Sequence, residues 1–433
     1  MATAISTPGP RAVAAAGFEQ RVAGLRREHE ALWAATPEDT PVLGPRVPRR
    51  RQQQNAREAE RLLDEVAAAV LECPEDDAGR LAWRRRLEAR VREFGGRQLG
   101  WPDGYQDLLF ADEYYQATVD FVREARAFDP GVRPDAVGQA LRNVWIGNSL
   151  QMLMGLPVRQ SSSLFGYSML YPWTDNLLDD PRLTRAAKAA FNLRLGARLA
   201  GQPAEPQGRH ERQVFALVAR VESEHDRRRR PDVWDSLLAI HRAQVASLRQ
   251  QRPTGVLRRE ELLAIAVEKG GTSVLADLHL VAPAVSEAEA AFAFGYGVFL
   301  QMLDDLQDVR GDGEKGHLTL FSAAAAEAPL DALAGRLCRF IDRVTFGSSR
   351  FAGPEHGPRL DLVRRNCRLL LVGAIAEQER LFSPAFVRAL EERWPFDFAS
   401  LRRLRREARR RCRRTLATLR RRRGVRSLLE LVA

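Results

Sequence analysis

From about residue 52 onward apolar residues recur at three- and four-residue spacing, the signature of amphipathic helices. The pattern predicts helices over 52–72, 77–94, 111–127, 134–154, 162–179, 184–200, 208–226, 232–251, 257–268, 286–308, 328–345, 358–380 and 396–421. Breakers stand between them, at Gly95-Gly96, Asp129-Pro130, Gly201 to Pro206 and Gly311 to Gly316. No alternating run predicts a strand, and no fixed-period repeat of the solenoid kind is present. Residues 1–9 and 36–51 are rich in Pro, Ala, Thr and Arg and read as irregular. Between them Arg11 to Ala35 has helical spacing but little to bury. The expected organisation is all-α: a loosely attached, partly disordered extension over 1–51, a helical domain over 52–395, and an arginine-rich helix over 396–433.

A chain of 433 residues, 45% hydrophobic and 28% charged, is long enough for a large core and has the balance of a soluble globular protein. No run of apolar residues is long enough for a membrane span, and the N-terminus is a poor secretory signal. Cys73, Cys338, Cys367 and Cys412 form no CxxC pair, so neither a zinc site nor a disulfide framework is expected, and a reducing cytoplasm is the simplest compartment. The net charge of +11 is carried almost entirely by arginine; Lys188, Lys269 and Lys315 are the only lysines. Arg402 to Arg423 is the most basic stretch. It reads as a solvated helix face or a weak attachment to an anionic membrane surface. No aromatic residues are interleaved for base stacking, so specific nucleic-acid binding is not expected.

Two acidic clusters carry the candidate chemistry. In YSMLYPWTDNLLDD, Asp175 and Asp179 are spaced i, i+4 and share a helix face, with Asp180 beside them. In GYGVFLQMLDDLQDVRGD, Asp304 and Asp308 repeat that spacing, Asp305 flanks them and Asp312 extends the stripe. Each cluster follows an apolar run, so its carboxylates are costly to desolvate unless something neutralises them. Two such clusters facing one cavity suit Mg2+, which keeps several waters and shares its coordination with substrate phosphates. Departure of a diphosphate leaving group is the chemistry that such an arrangement serves.

At these residues the sequence resembles the class I isoprenoid synthases, over roughly residues 135–325. Asp304-Asp305-Leu306-Gln307-Asp308, preceded by Phe299-Leu300-Gln301, is similar to the second aspartate-rich motif of polyprenyl diphosphate synthases. Lys269-Gly270-Gly271-Thr272 resembles their lysine-threonine element, and Gly316-His317-Leu318-Thr319-Leu320 resembles the segment after their second motif, with histidine in place of lysine. Asp175-Asn176-Leu177-Leu178-Asp179-Asp180 departs from the usual first motif and is closer to that of squalene and phytoene synthases. The resemblance implies an all-α isoprenoid synthase bundle around a central cavity. It implies three Mg2+ ions on the diphosphate, held by Asp175, Asp179, Asp180, Asp304, Asp305 and Asp308. Gln301 would support the second cluster, Lys269 and Thr272 would meet diphosphate oxygens, and Arg182 and Arg185 stand like the family's basic pair after the first motif.

A prenyl diphosphate is therefore the expected substrate, and the fate of the allylic cation divides the readings. Chain elongation needs a second anion site, yet the usual Gly-Lys-Arg-x-Arg element is missing and Arg142 is the nearest basic residue in its place. A terpene synthase needs one diphosphate site and an aromatic-lined cavity; Trp145, Phe165, Tyr167, Tyr171 and Phe299 are its candidate wall. Leu170, Tyr171 and Trp173 are expected to limit its depth. The preferred reading is a terpene synthase, with elongation or head-to-head prenyl transfer as the alternative. A homodimer is left open. The contrasting reading is a helical RNA- or membrane-binding protein whose acid clusters are helix caps lying far apart. No clustered histidine spacing, phosphate loop, Rossmann fingerprint or GxSxG elbow points elsewhere.

Overall fold

The computed structural model describes residues 10–180, 182–251, 255, 257–347, 356–425 and 427–431. They form an all-helical protein, with no strand among them. The helices in chain order are α1 (Pro10–Ala34), α2 (Arg49–Leu71), α3 (Asp77–Leu99), α4 (Asp103–Leu109), α5 (Asp112–Phe128) and α6 (Pro134–Leu153). They continue with α7 (Ser162–Leu178), α8 (Arg185–Leu199), α9 (Gly208–Glu222), α10 (Pro231–Ser247), α11 (Arg259–Val281) and α12 (Glu287–Lys315). The last are α13 (Leu320–Ala325), α14 (Asp331–Gly347), α15 (His356–Glu377), α16 (Pro384–Glu391) and α17 (Phe398–Arg423). No described helix is long and apolar enough to cross a membrane.

Side-chain caps start the helices that carry the acidic clusters and their neighbour. Ser161 accepts from the Leu164 amide at α7, Thr184 from the Ala187 amide at α8, and Ser286 and Glu289 cap α12 reciprocally. α11 lies between two cores. Val274, Leu275 and Leu278 join a core built with α1, α12, α14 and α15, whereas Ala276 and Leu280 join one built with α5, α6, α7, α9 and α10. Between the cores a wholly buried polar tie links three helices. The Asn143 amide of α6 donates to the Asp277 carboxyl of α11 at 2.8 Å and to the Ser168 hydroxyl of α7 at 3.0 Å. Burial pushes the Asp277 carboxyl well above the usual carboxylate range.

Several expected helix ends are corrected by packing. α11 runs straight through Gly270-Gly271, and α12 through Gly311 and Gly313, ending only at Gly316 with φ +69°. Gly270 and Gly271 interrupt nothing because α12 crosses on that face. A Cβ on Gly270 would lie 2.5 Å from the Gly297 carbonyl oxygen, and one on Gly297 would lie 2.0 Å from that of Gly270. Gly95-Gly96 likewise falls inside α3, where the Trp101 ring lies against Gly95. α4, α13 and α16 are too short to show a helical period and were not expected.

The N-terminal segment is also corrected. Phe18, Val22 and Trp33 of α1 are buried in the larger core, and His29 is buried against Gly295 and Phe294. Arg26 pairs with Glu268 at 2.9 Å and Arg242 with Glu19 at 3.4 Å, fastening α1 to α11 and α10. Their i, i+4 register makes a stripe narrow enough to be missed beside so much alanine and arginine. Residues 1–9 of the expected extension lie outside the described residues. The arginine-rich helix α17 packs on α2 and α15 through Leu404 and through ion pairs from Arg403 to Glu60, Arg405 to Glu377 and Arg411 to Asp64. Its other face stays exposed.

The helix crossing predicts opposite outcomes for two glycine-to-alanine changes in α12. Gly297→Ala forces backbone apart and is expected to cost about 1–3 kcal/mol. At Gly311 a Cβ meets nothing within 4 Å, and Gly311→Ala is expected to gain about 0.5–1 kcal/mol. Denaturant unfolding of both variants checks this.

Candidate active site

Both acidic clusters open onto one cleft of about 1800 Å3. Asp175 sits in the last turn of α7 and Asp179 caps that helix, while Asp304, Asp305, Asp308 and Asp312 descend one side of α12. All six line the cleft, together with Lys269 of α11, Gln301 of α12, Arg142 of α6 and Arg185 of α8.

Burial pushes the Asp175 carboxyl up to about 6; Lys269 pulls it back, and Asp179 and Asp304 push it further. Burial raises Asp305 to about 7, against the Gln301 amide and Lys269, with Asp304 and Asp312 adding to the rise. Asp308 is raised by burial and by Asp304 and Asp312, while Lys315 and Arg142 oppose it. Lys269 thus faces both clusters, yet carboxylates outnumber cations around it. Like charges are therefore held close together at this end of the cleft.

Three glutamine amides hold individual carboxylate oxygens. Gln244 of α10 donates to Asp175 Oδ1 at 3.1 Å, Gln251 to Asp179 Oδ1 at 3.0 Å and Gln301 to Asp305 Oδ1 at 2.8 Å. Gln251 is itself fixed by an antiparallel bridge to His317, and the neighbouring Gln250 carbonyl accepts from the Leu318 amide at 2.9 Å. The end of α12 is thereby joined to the segment after α10. His317 Nδ1 lies 3.5 Å from Asp312 Oδ1 at the cleft wall.

Among the described residues no three His, Cys, Asp or Glu side chains form a ready-made metal cage. Mg2+ rarely needs one, since one or two carboxylates, waters and substrate phosphates complete its octahedron. The donor set fits such an ion. It consists of oxygens, each glutamine leaves one oxygen of its carboxylate uncommitted, and Asp304 and Asp308 make no hydrogen bond to the described protein.

Other expected site residues stand elsewhere. Arg182 folds back on Asp180, with Nη2 to Oδ2 at 2.7 Å, and holds that carboxyl down at about 2; neither residue lines the cleft. Thr272 is buried with its hydroxyl donating to the Glu268 carbonyl at 2.6 Å, so it does not face a diphosphate. None of the five expected wall aromatics lines the cleft. Phe165 packs with Phe121 and Phe128, and Phe299 is enclosed in the larger core. Trp145 is 45% exposed, with its indole N–H on the Thr118 hydroxyl. Tyr167 donates to the Ser273 carbonyl at 3.0 Å, and Tyr171 bonds to the Ser273 hydroxyl. The two tyrosines share a helix face with Asp175, but below it that face is filled by α11. Leu170 and Trp173 are likewise buried outside the lining, so neither sets the depth of the cleft.

Sequence reasoning missed Gln244, Gln251, Lys188, Lys315, Arg242 and Arg249, which all line the cleft. One signal was available. Lys188, Lys269 and Lys315 are the only lysines among 67 basic residues, and all three line this cleft. The glutamines carry no comparable mark in the sequence.

The raised carboxyls have a consequence for stability. A carboxyl whose native pKa is raised binds its proton more tightly when folded, so between the unfolded value of 3.8 and the native value of about 7 its contribution falls as pH rises. Asp305→Asn removes that burden. The variant is expected to melt above the wild type at about pH 7.5, with the advantage shrinking steadily as pH falls towards 3.8, as thermal unfolding in EDTA would report.

No protein-family model matches this chain, and no curated protein sequence matches it.

Proposed function

We propose that this chain is a Mg2+-dependent enzyme of the class I isoprenoid synthase type that ionises a prenyl diphosphate. The observation that carries the reading is the convergence of Asp175 and Asp304, from separate motifs, on one cleft with Lys269 facing both. Asp175, Asp179, Asp304, Asp305 and Asp308 would hold the metal, and bound Mg2+ supplies charge neutralisation to the leaving diphosphate. Gln244, Gln251 and Gln301 keep the carboxylates oriented before substrate arrives. Lys269 and Arg142 would meet diphosphate oxygens as the allylic carbon–oxygen bond breaks and both its electrons leave with the diphosphate.

Of the two fates of the cation, transfer to a second substrate fits the cleft better than cyclisation. The preference for cyclisation rested on an aromatic wall, and among the described residues no Phe, Tyr or Trp lines the cleft. The objection to transfer was a lack of cations for a second anion. Arg185, Lys188, Arg242, Arg249 and Lys315 line the same cleft as Arg142. The RNA- or membrane-binding reading expected acid clusters far apart, and that expectation is not met.

Incubation with Mg2+ and geranyl, farnesyl or geranylgeranyl diphosphate, with and without isopentenyl diphosphate, tests this reading. A product that needs two substrates supports transfer, a hydrocarbon or alcohol from one substrate supports cyclisation, and no diphosphate release from any contradicts the reading. Asp175→Ala and Asp304→Ala are each expected to lower turnover roughly 100- to 1000-fold with the fold intact by circular dichroism. Asp180→Ala is expected to leave turnover unchanged, because that carboxylate is engaged by Arg182 outside the cleft.

A further inference from the structure

Beyond the carboxylates the cleft continues between α8 and α10, and its walls change character. Ala189, Leu193 and Ala197, four residues apart on α8, line it as one stripe, and Val245 and Leu248 line it from the other side. Leu193 is 76% exposed and Val245 39%, two of the few large aliphatic side chains left open to solvent, and both face this cleft. The two helices meet beside this stripe. A Cβ on Gly196 would lie 3.0 Å from His241 Nε2, and that nitrogen is 3.1 Å from the Asn192 carbonyl oxygen. At the near end Gln244, the neighbour of Val245, holds Asp175. The groove therefore begins at the first acidic cluster.

The alternative direction for a greasy ligand is blocked. Beneath Asp175 the interior between α7 and α11 is filled by Tyr167 and Tyr171 on Ser273, and by the Asn143, Ser168 and Asp277 tie. Open apolar surface joined to a charged head site is what an amphiphile with an anionic head requires.

We infer that the groove between α8 and α10 is the subsite for the hydrocarbon tail of the substrate, an isoprenoid chain whose diphosphate sits at the acidic clusters. The inference rests on the proposed head site. Leu193 and Val245 grip the tail from opposite walls. Ala189 to Ala197 spans about 12 Å of helix, a length suited to geranyl and farnesyl chains. Arg185, Lys188, Arg242 and Arg249 line the same stretch, and their aliphatic stems add apolar surface for the tail.

Isothermal titration of the full chain in Mg2+, with pyrophosphate and with the unreactive farnesyl thiolodiphosphate, separates head from tail. The wild type is expected to bind pyrophosphate and to bind the farnesyl analogue about tenfold or more tightly. Leu193→Asp and Val245→Asp are expected to abolish that gain and leave pyrophosphate affinity unchanged; Leu193→Ala should lose part of it. Both side chains are exposed, so the fold should tolerate these changes. No pyrophosphate binding by the wild type would contradict the head-site reading itself. Pyrophosphate binding with no gain from the tail, or a gain that survives both aspartate variants, would overturn the groove assignment alone. A wild-type dimer that Leu193→Asp converts to a monomer by light scattering, with analogue affinity intact, would also overturn it and make the groove a contact between copies.

Discussion

Backbone meets backbone where α11 crosses α12, and the placement of the charged groups depends on that contact. Gly270 and Gly297 leave no room for a Cβ between them. Lys269 precedes the first glycine, and Gln301 and Asp305 lie one and two turns beyond the second on α12. A Cβ on Gly270 would also lie 2.6 Å from the Gln301 Cβ, so the crossing seats the glutamine that orients Asp305. Any larger residue at the crossing would move the lysine away from the carboxylates it partly neutralises.

The site is stable only as part of a larger balance. Asp175, Asp305 and Asp308 are held partly desolvated against their preference, and Lys269 offsets a fraction of that cost. The two hydrophobic cores on either side of α11, and the Asn143–Asp277–Ser168 tie between them, supply the rigidity that keeps like charges together. α1 braces both sides through Arg26 on Glu268, next to Lys269, and Glu19 on Arg242. A cation at the proposed head site would relieve the repulsion that this scaffold maintains.

The features that depend on one helix were legible in the sequence; those that depend on a neighbouring helix were not. Helical period marked nearly every long helix, and i, i+4 spacing placed Asp175 with Asp179 and Asp304 with Asp308 on shared faces. The helix expected to end at 268 runs on through Gly270-Gly271, because a glycine's role at a crossing is decided by the partner helix. Tyr167 and Tyr171 do align with Asp175, but what that face meets one turn below the acids is set by Ser273, more than a hundred positions away. Asp180 and Thr272 lie outside the cleft lining for a similar reason. Their residue types fit the expected motifs, while local hydrogen bonds to Arg182 and to the Glu268 carbonyl claim their side chains. Gln244 and Gln251 come close to their aspartates only through the packing of α7 and α10.

The central claim is that Asp175 and Asp304 grip one metal–diphosphate assembly together. A double-mutant cycle on pyrophosphate-dependent Mn2+ binding, followed by the free-ion electron paramagnetic resonance signal, tests it directly. Asp175→Asn and Asp304→Asn should each weaken binding. The double variant should lose less than the sum, with a coupling of about 1 kcal/mol or more. Losses that add, within about 0.5 kcal/mol, would mean that the two aspartates serve separate sites.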